Sequence, residues 1–156
     1  MSLRAMATDD ETRELLRGTR TIAVVGLSDK PDRDSNGVAR YLLSQGYDIV
    51  PVNPNLTEVL GRRAFPSLRD VPAERRIDIV DIFRRSDEVA PVVDEAVARG
   101  VGAIWMQLGV QNEAAADVAR AHGIPVYQNL CIMQEHRRLR IGPVPDRPPA
   151  VLSQDS

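Results

Sequence analysis

Gly26, Ser28 and Lys30 alternate along the opening of a loop in the stretch 21–43, TIAVVGLSDKPDRDSNGVARYLL, and their types suit a phosphate grip. Glycine lets backbone approach a ligand closely, a serine hydroxyl bonds phosphate oxygens, and a lysine ammonium adds a point charge. The same residues also suit an ordinary strand-to-helix loop. Ser35 or Asn36 is placed to cap the helix that follows, whose first amides carry partial positive charge. Lys30 is the only lysine among 20 basic residues. Either an arginine-biased composition spared it by chance, or it is retained as a phosphate contact.

A dinucleotide site asks for more than this loop offers. It needs G-x-G-x-x-G, whereas no glycine follows Gly26 until Gly37. It also needs an acidic residue after the second strand, where Asn53 and Pro54 stand instead. NAD is disfavoured on both counts, while Arg62 and Arg63 leave an NADP-type phosphate open.

Further chemistry gathers at the other strand ends. Phe83 and Arg84 could stack on or pair with an adenine nucleotide, or form a core aromatic beside a solvated cation. Trp105 reads as core; of the neighbouring Met106 and Gln107, Gln107 is the stronger functional candidate. Asn129 and Cys131 fall at the start of the last helix, where amides could lower a thiol's pKa; a buried, inert cysteine is the commoner outcome. His122 and His136 lack a local acidic orienter and nucleophile, and no Cys/His cluster has metal-ligand spacing.

Elements must bring these loops together. The spacing predicts a helix over 9–18 capped by Asp9 or Asp10, a buried strand over 21–26, a helix over 36–45 closed by Gly46, and a strand over 47–52 in which Pro51 argues against a central position. Residues 54–73 read as irregular. A third strand spans 77–83; Asp78 and Asp81 are out of phase for one face, so one of them is expected at an edge or strand end. Then follow a helix over 86–99 with Pro91 in its first turn, a strand over 102–107, a helix from Asn112 to Gly123, a strand over 124–127 and a helix over 130–139. Such alternation predicts an α/β, Rossmann-like doubly wound domain: a mainly parallel sheet of about five strands with helices on both faces. The expected divisions are an N-terminal segment over 1–20, the domain over 21–140 and a loosely ordered, Pro-rich tail over 141–156.

Composition narrows the function classes. With 156 residues the chain fits one domain with a real core. A net charge of −2 gives no reason to expect nucleic acid or an anionic membrane as partner. No apolar run is long enough to span a bilayer, and residues 1–8 lack a secretory signal. A single cysteine makes the reducing cytoplasm the expected setting.

The segments GLSDKPDRDSNGVARYLLSQGYDIVPVNP, VDIFRRSDEV, IWMQLGV and QNLCIMQEH together resemble the small bacterial CoA-binding proteins of the YccU type. The resemblance covers roughly residues 10–140 and extends to the CoA-binding domain of the succinyl-CoA synthetase alpha subunit. It implies that Gly26, Leu27, Ser28 and Lys30 hold a pyrophosphate and that Asn53 and Pro54 line the nucleotide region. Phe83, Arg84, Met106 and Gln107 would form the middle of a groove, with Cys131 near the pantetheine end. QNLCI separates Asn129 from Cys131 by one residue, whereas the synthetase has the pair adjacent. The further ligase domain of the synthetase and the winged helix of a Rex-like repressor are not expected here. The resemblance therefore implies a stand-alone CoA or acyl-CoA binder acting as carrier, sensor or docking module, without a complete catalytic apparatus. The alternatives are a thiol-exchange or acyl-transfer protein using Cys131, and an NADP-binding oxidoreductase. A homodimer or a further protein partner is compatible with the size but not compelled by any stretch.

Overall fold

A computed structural model describes residues 6–145. In chain order they form α1 (Asp9–Gly18), β1 (Thr21–Val25), α2 (Asp34–Ser44), β2 (Asp48–Val52), β3 (Glu58–Val59), β4 (Arg62–Arg63), β5 (Ile79–Ile82), α3 (Val89–Arg99), β6 (Ala103–Met106), α4 (Glu113–Ala121), β7 (Val126–Tyr127) and α5 (Ile132–Arg138). Short 3-10 turns lie at Leu68–Asp70 and Ser86–Glu88.

The apolar strands build a five-stranded sheet in the order β2-β1-β5-β6-β7, with every pairing parallel. Residues Ala23, Val25, Val80, Ile82 and Ile104 pack toward α3 and α4. Ile22, Val24, Ile79, Ala103 and Trp105 pack the opposite way, toward α1, α2 and α5. Helices thus cover both faces, as expected of a doubly wound domain. The chain steps outward from β1 to β2, then returns past β1 to β5. The order therefore reverses between β1 and β5, and a crevice opens there at the carboxyl ends.

Local chemistry accounts for most boundaries and for several departures. The cap of α1 is Thr8, not Asp9 or Asp10: its hydroxyl accepts from the Glu11 amide and the Glu11 carboxylate accepts from the Thr8 amide, a reciprocal capping box. Helix α2 begins at Asp34, because Ser35 and Asn36 use their side chains on the preceding loop rather than as caps. Pro51 sits on the edge strand β2, where its missing N–H leaves the β1 ladder intact. Residues 54–73 contain a hairpin that periodicity could not reveal in two-residue strands. Leu60 and Gly61 turn it, with φ of 53° and 75°.

Asp78 precedes β5, and its carboxylate accepts from the Arg20 and Thr21 amides and pairs with Arg76. Asp81 instead lies inside β5, between Val24 and Trp105 on the neighbouring strands, and is wholly buried. Pro91 occupies the first turn of α3, and Asn112 caps α4 by accepting from the Ala115 amide at 3.0 Å. Trp105 is core: it stacks on Tyr127 at 4.3 Å between centroids and donates to the Leu130 carbonyl.

Helix α1 is fastened to this body by the Leu16 carbonyl, which accepts from the Tyr47 hydroxyl, and by an Asp9–Arg138 ion pair at 2.8 Å. The segment expected as a tail from 141 onward begins against the core, since Val144 is buried and its amide donates to the Gln45 carbonyl. Residues 146–156, the rest of that expected tail, and residues 1–5 lie outside the described residues. No helix of the described residues is long and apolar enough to cross a membrane.

Candidate functional site

The crevice between β1 and β5 opens into two adjoining hollows that share Asp32, Arg33, Asp34 and Phe83. The outer one, 500 Å³, is lined by Gly26, Ser28, Lys30 and Ser35. The inner one, 680 Å³, runs along Phe83, Arg84 and Leu108 to Gln107 and Cys131. Together they make one groove across the carboxyl ends of β1, β5 and β6.

Side-chain bonds fix the loop that walls the outer end. Gly26 leaves β1 with φ of 86°, a left-handed turn, and its amide donates to the Val52 carbonyl. Ser35 Oγ accepts from the Ser28 amide at 3.0 Å, and Ser28 Oγ accepts from the Lys30 amide at 3.0 Å. Asn36 Nδ2 donates to the Ser28 carbonyl, while Arg40 ties Asn36 Oδ1 to the Pro31 carbonyl. This bracing was not legible in the sequence, where Asn36 reads as a candidate helix cap and Arg40 as an ordinary helix residue.

The start of α2 carries no side-chain cap, and the Asp34 and Ser35 amides have no hydrogen-bond partner among the described residues. Lys30, Arg33 and Arg84 likewise make no side-chain hydrogen bond or ion pair among those residues. Free amides and three cations therefore border the groove, tempered by Asp32 and Asp34. The arrangement can hold an anion. Arg85, also on the lining, is committed to Asp87 at 2.8 Å, and that carboxylate raises its pKa.

The inner end is more apolar. Val38, Val110 and Cys131 line it and are buried, the cysteine 7% exposed. Gln107 is 4% exposed, and its Oε1 accepts from the Ile132 amide at 3.0 Å.

Other sequence candidates fall elsewhere. Leu27 and Met106 are buried in the two hydrophobic layers and are not among the groove-lining residues. Asn53 braces loops: Nδ2 donates to the Leu27 carbonyl and Oδ1 accepts from the Asn55 amide. Pro54 is exposed and apart from the lining. Asn129 holds φ of 59°, accepts from the Gly109 amide at 2.7 Å and lines a separate 580 Å³ hollow beside β7. Arg62 donates to the Leu60 carbonyl, and Arg63 lies over the Phe65 ring at 4.9 Å, both on the β3–β4 hairpin. His122 ends α4 with its ring against the Val118 carbonyl. His136 is buried against Tyr41, with Nδ1 2.7 Å from the hydroxyl, and burial lowers its pKa.

Residues 20–137 match the family model described as CoA binding domain. The chain is 40% identical to the protein YneT of Bacillus subtilis over 126 residues, covering 81% of this chain and 92% of that one. It is 27% identical to the ADP-forming acetate–CoA ligase II of Archaeoglobus fulgidus, but spans only 18% of that protein. Among solved structures, a hypothetical protein from Pyrococcus horikoshii OT3 superposes with a TM-score of 0.84 at 39% identity, covering 90% of this chain and 97% of that one. The dinucleotide-forming acetyl-coenzyme A synthetase 1 of Ca. Korarchaeum cryptofilum superposes with a TM-score of 0.66 at 28% identity, over 78% of this chain and 28% of that one.

Proposed function

Because the chain belongs to the CoA-binding-domain family, we propose that it binds CoA or an acyl-CoA in the groove between β1 and β5, as a carrier, sensor or docking module rather than by turning the ligand over. One observation carries this reading. The uncapped start of α2, with Ser28 and Lys30 beside it, stands at one end of a continuous groove whose other end is apolar and holds Cys131. CoA has that same polarity, phosphates at one end and a thiol on a flexible arm at the other. Ser28 retains its hydroxyl proton to donate to a phosphate while its oxygen accepts from the Lys30 amide. Phe83 and Arg84 offer a ring and a guanidinium midway along the path. Ligation of acetate belongs to the far longer relative named for it, and this reading does not extend it here. Isothermal titration of the purified chain with CoA tests the reading; saturable binding is expected, and a folded chain that takes up no CoA or acetyl-CoA would sink it.

Thiol exchange is a second reading, favoured by the placement of Cys131 on the groove wall. The Cys131 thiolate would attack a CoA disulfide, forming a Cys131–CoA mixed disulfide and releasing one CoA thiolate. Mass spectrometry after incubation with CoA disulfide should show one CoA added at Cys131. An unmodified thiol under conditions where CoA itself binds would end this second reading.

A further inference from the structure

The inner end of the groove contains a side chain whose oxygen is engaged by backbone and whose donor is left to the groove. Gln107 is 4% exposed and lines the groove beside Cys131. Its orientation is fixed chemically: the Ile132 amide is a donor, so the atom facing it at 3.0 Å must be the carbonyl oxygen of the Gln107 amide. The amino group, Nε2, is then the part left to the groove; it has no hydrogen-bond partner among the described residues and is not one of their buried unpaired atoms, so it is open to the groove. With its oxygen committed to the Ile132 amide, the side chain is held with its donor toward the groove, where it is placed to meet an acceptor on a bound ligand. Val38, Val110 and Cys131 line the same hollow and offer it apolar surface and no strong side-chain acceptor.

We propose that this end of the groove is a thioester subsite, in which Gln107 Nε2 donates to the acyl carbonyl oxygen of a short-chain acyl-CoA while Val38, Val110 and Cys131 enclose the acyl group. The inference rests on the reading of the groove as a CoA site and adds the state of the ligand. A free CoA thiol supplies no carbonyl at its terminus, whereas a thioester does. Gln107 thereby separates acylated from free CoA, and the chain reports or carries the acylated form. The buried walls favour a small acyl group, acetyl or propionyl, over a long chain.

The test is titration of the intact chain with CoA and with acetyl-CoA, each for the unaltered protein, Gln107→Leu and Gln107→Glu. The unaltered chain should prefer acetyl-CoA by about tenfold, the size of one good hydrogen bond. Gln107→Leu removes both the donor and the acceptor for Ile132; Gln107→Glu keeps that acceptor and removes only the donor. In both variants the preference should fall to about one, and thermal melting of the glutamate variant shows that the fold survives. Equal affinity of the unaltered chain for the two ligands overturns the proposal while leaving the CoA reading standing. So does an equal loss for both ligands in the variants, which would place Gln107 on an amide of the pantetheine arm. Binding of neither ligand by the unaltered chain overturns both readings together.

Discussion

Gly26 and Phe83 meet where β1 and β5 end, so closely that a Cβ on the glycine would run into the Phe83 carbonyl oxygen. The two parallel strands thus end in tight backbone contact at the point where the strand order reverses. Gly26 also has φ of 86°, which L side chains rarely adopt. Steric conflict and backbone strain add, and the obstructing atom is backbone that cannot swing aside. Gly26→Ala should therefore lower stability by about 2–4 kcal/mol. Urea denaturation measures this directly, and a loss below about 0.5 kcal/mol would show that the two strand ends separate easily.

Lys30 should act on affinity and not on stability. Its ammonium is exposed and makes no ion pair among the described residues, so its removal breaks no contact of the fold. Lys30→Ala is expected to weaken CoA binding about tenfold, about 1.4 kcal/mol, with the melting temperature unchanged. Lys30→Arg should recover part of the affinity, and the loss should shrink as salt is raised. An alanine variant that binds CoA as tightly as the parent at low salt would remove Lys30 from the phosphate site.

Asn53 makes the opposite prediction. Its side chain joins the Leu27 carbonyl after β1 to the Asn55 amide after β2, at 3.0 and 2.9 Å. Asn53→Ala breaks both bonds and should cost about 1–2 kcal/mol of stability. Asn53→Asp keeps an acceptor for Asn55 but offers none of the donor that Leu27 needs, so it should recover only part. Chemical denaturation of the two variants decides; an alanine variant as stable as the parent would mean that solvent replaces both bonds.

Asn53 also shows where sequence reading stopped. The strand–helix alternation, the buried strand expected over 21–26 and found at Thr21–Val25, and the cap at Asn112 were legible because each is a local pattern with a local cause. Gly26, Ser28, Lys30, Phe83, Arg84, Gln107 and Cys131 were named from their place at strand ends, and the groove gathers all of them. Asn53 and Asn129 were named by the same rule, yet both polar atoms of the Asn53 side chain and the Oδ1 of Asn129 are engaged by loop backbone. Residue type and strand-end position cannot tell a loop brace from a ligand contact, because both need a donor or acceptor there. The β3–β4 hairpin was illegible for a different reason: two residues per strand are too few to display alternation. The full burial of Asp81 ran against its type, and only the packed sheet shows it.

Asp81 and His136 together set the expected pH profile of stability. Both carboxyl oxygens of Asp81 are buried without a hydrogen-bond partner, and desolvation raises its pKa well above the ordinary 3.8. The folded chain therefore keeps that proton while the unfolded chain releases it above about pH 4. Protons bound in the folded state exceed those in the unfolded state across that window, so stability falls as pH rises. His136 works in the other direction. Burial lowers its pKa from 6.5, so below that pH the unfolded chain takes up a proton that the folded chain resists. Its contribution is present above about pH 6.5 and is lost as pH falls. Between about pH 4 and 6.5 the two slopes oppose, and above that window only the Asp81 decline remains of the pair. Asp81→Asn keeps the shape and removes the titration. Its stability relative to the parent should grow with pH above about 4, by up to about 1.4 kcal/mol per pH unit, until the parent's carboxyl ionises. Urea denaturation of both proteins from pH 4 to 9 gives the comparison. A difference that stays constant across that range would mean that Asp81 does not hold its proton in the folded chain.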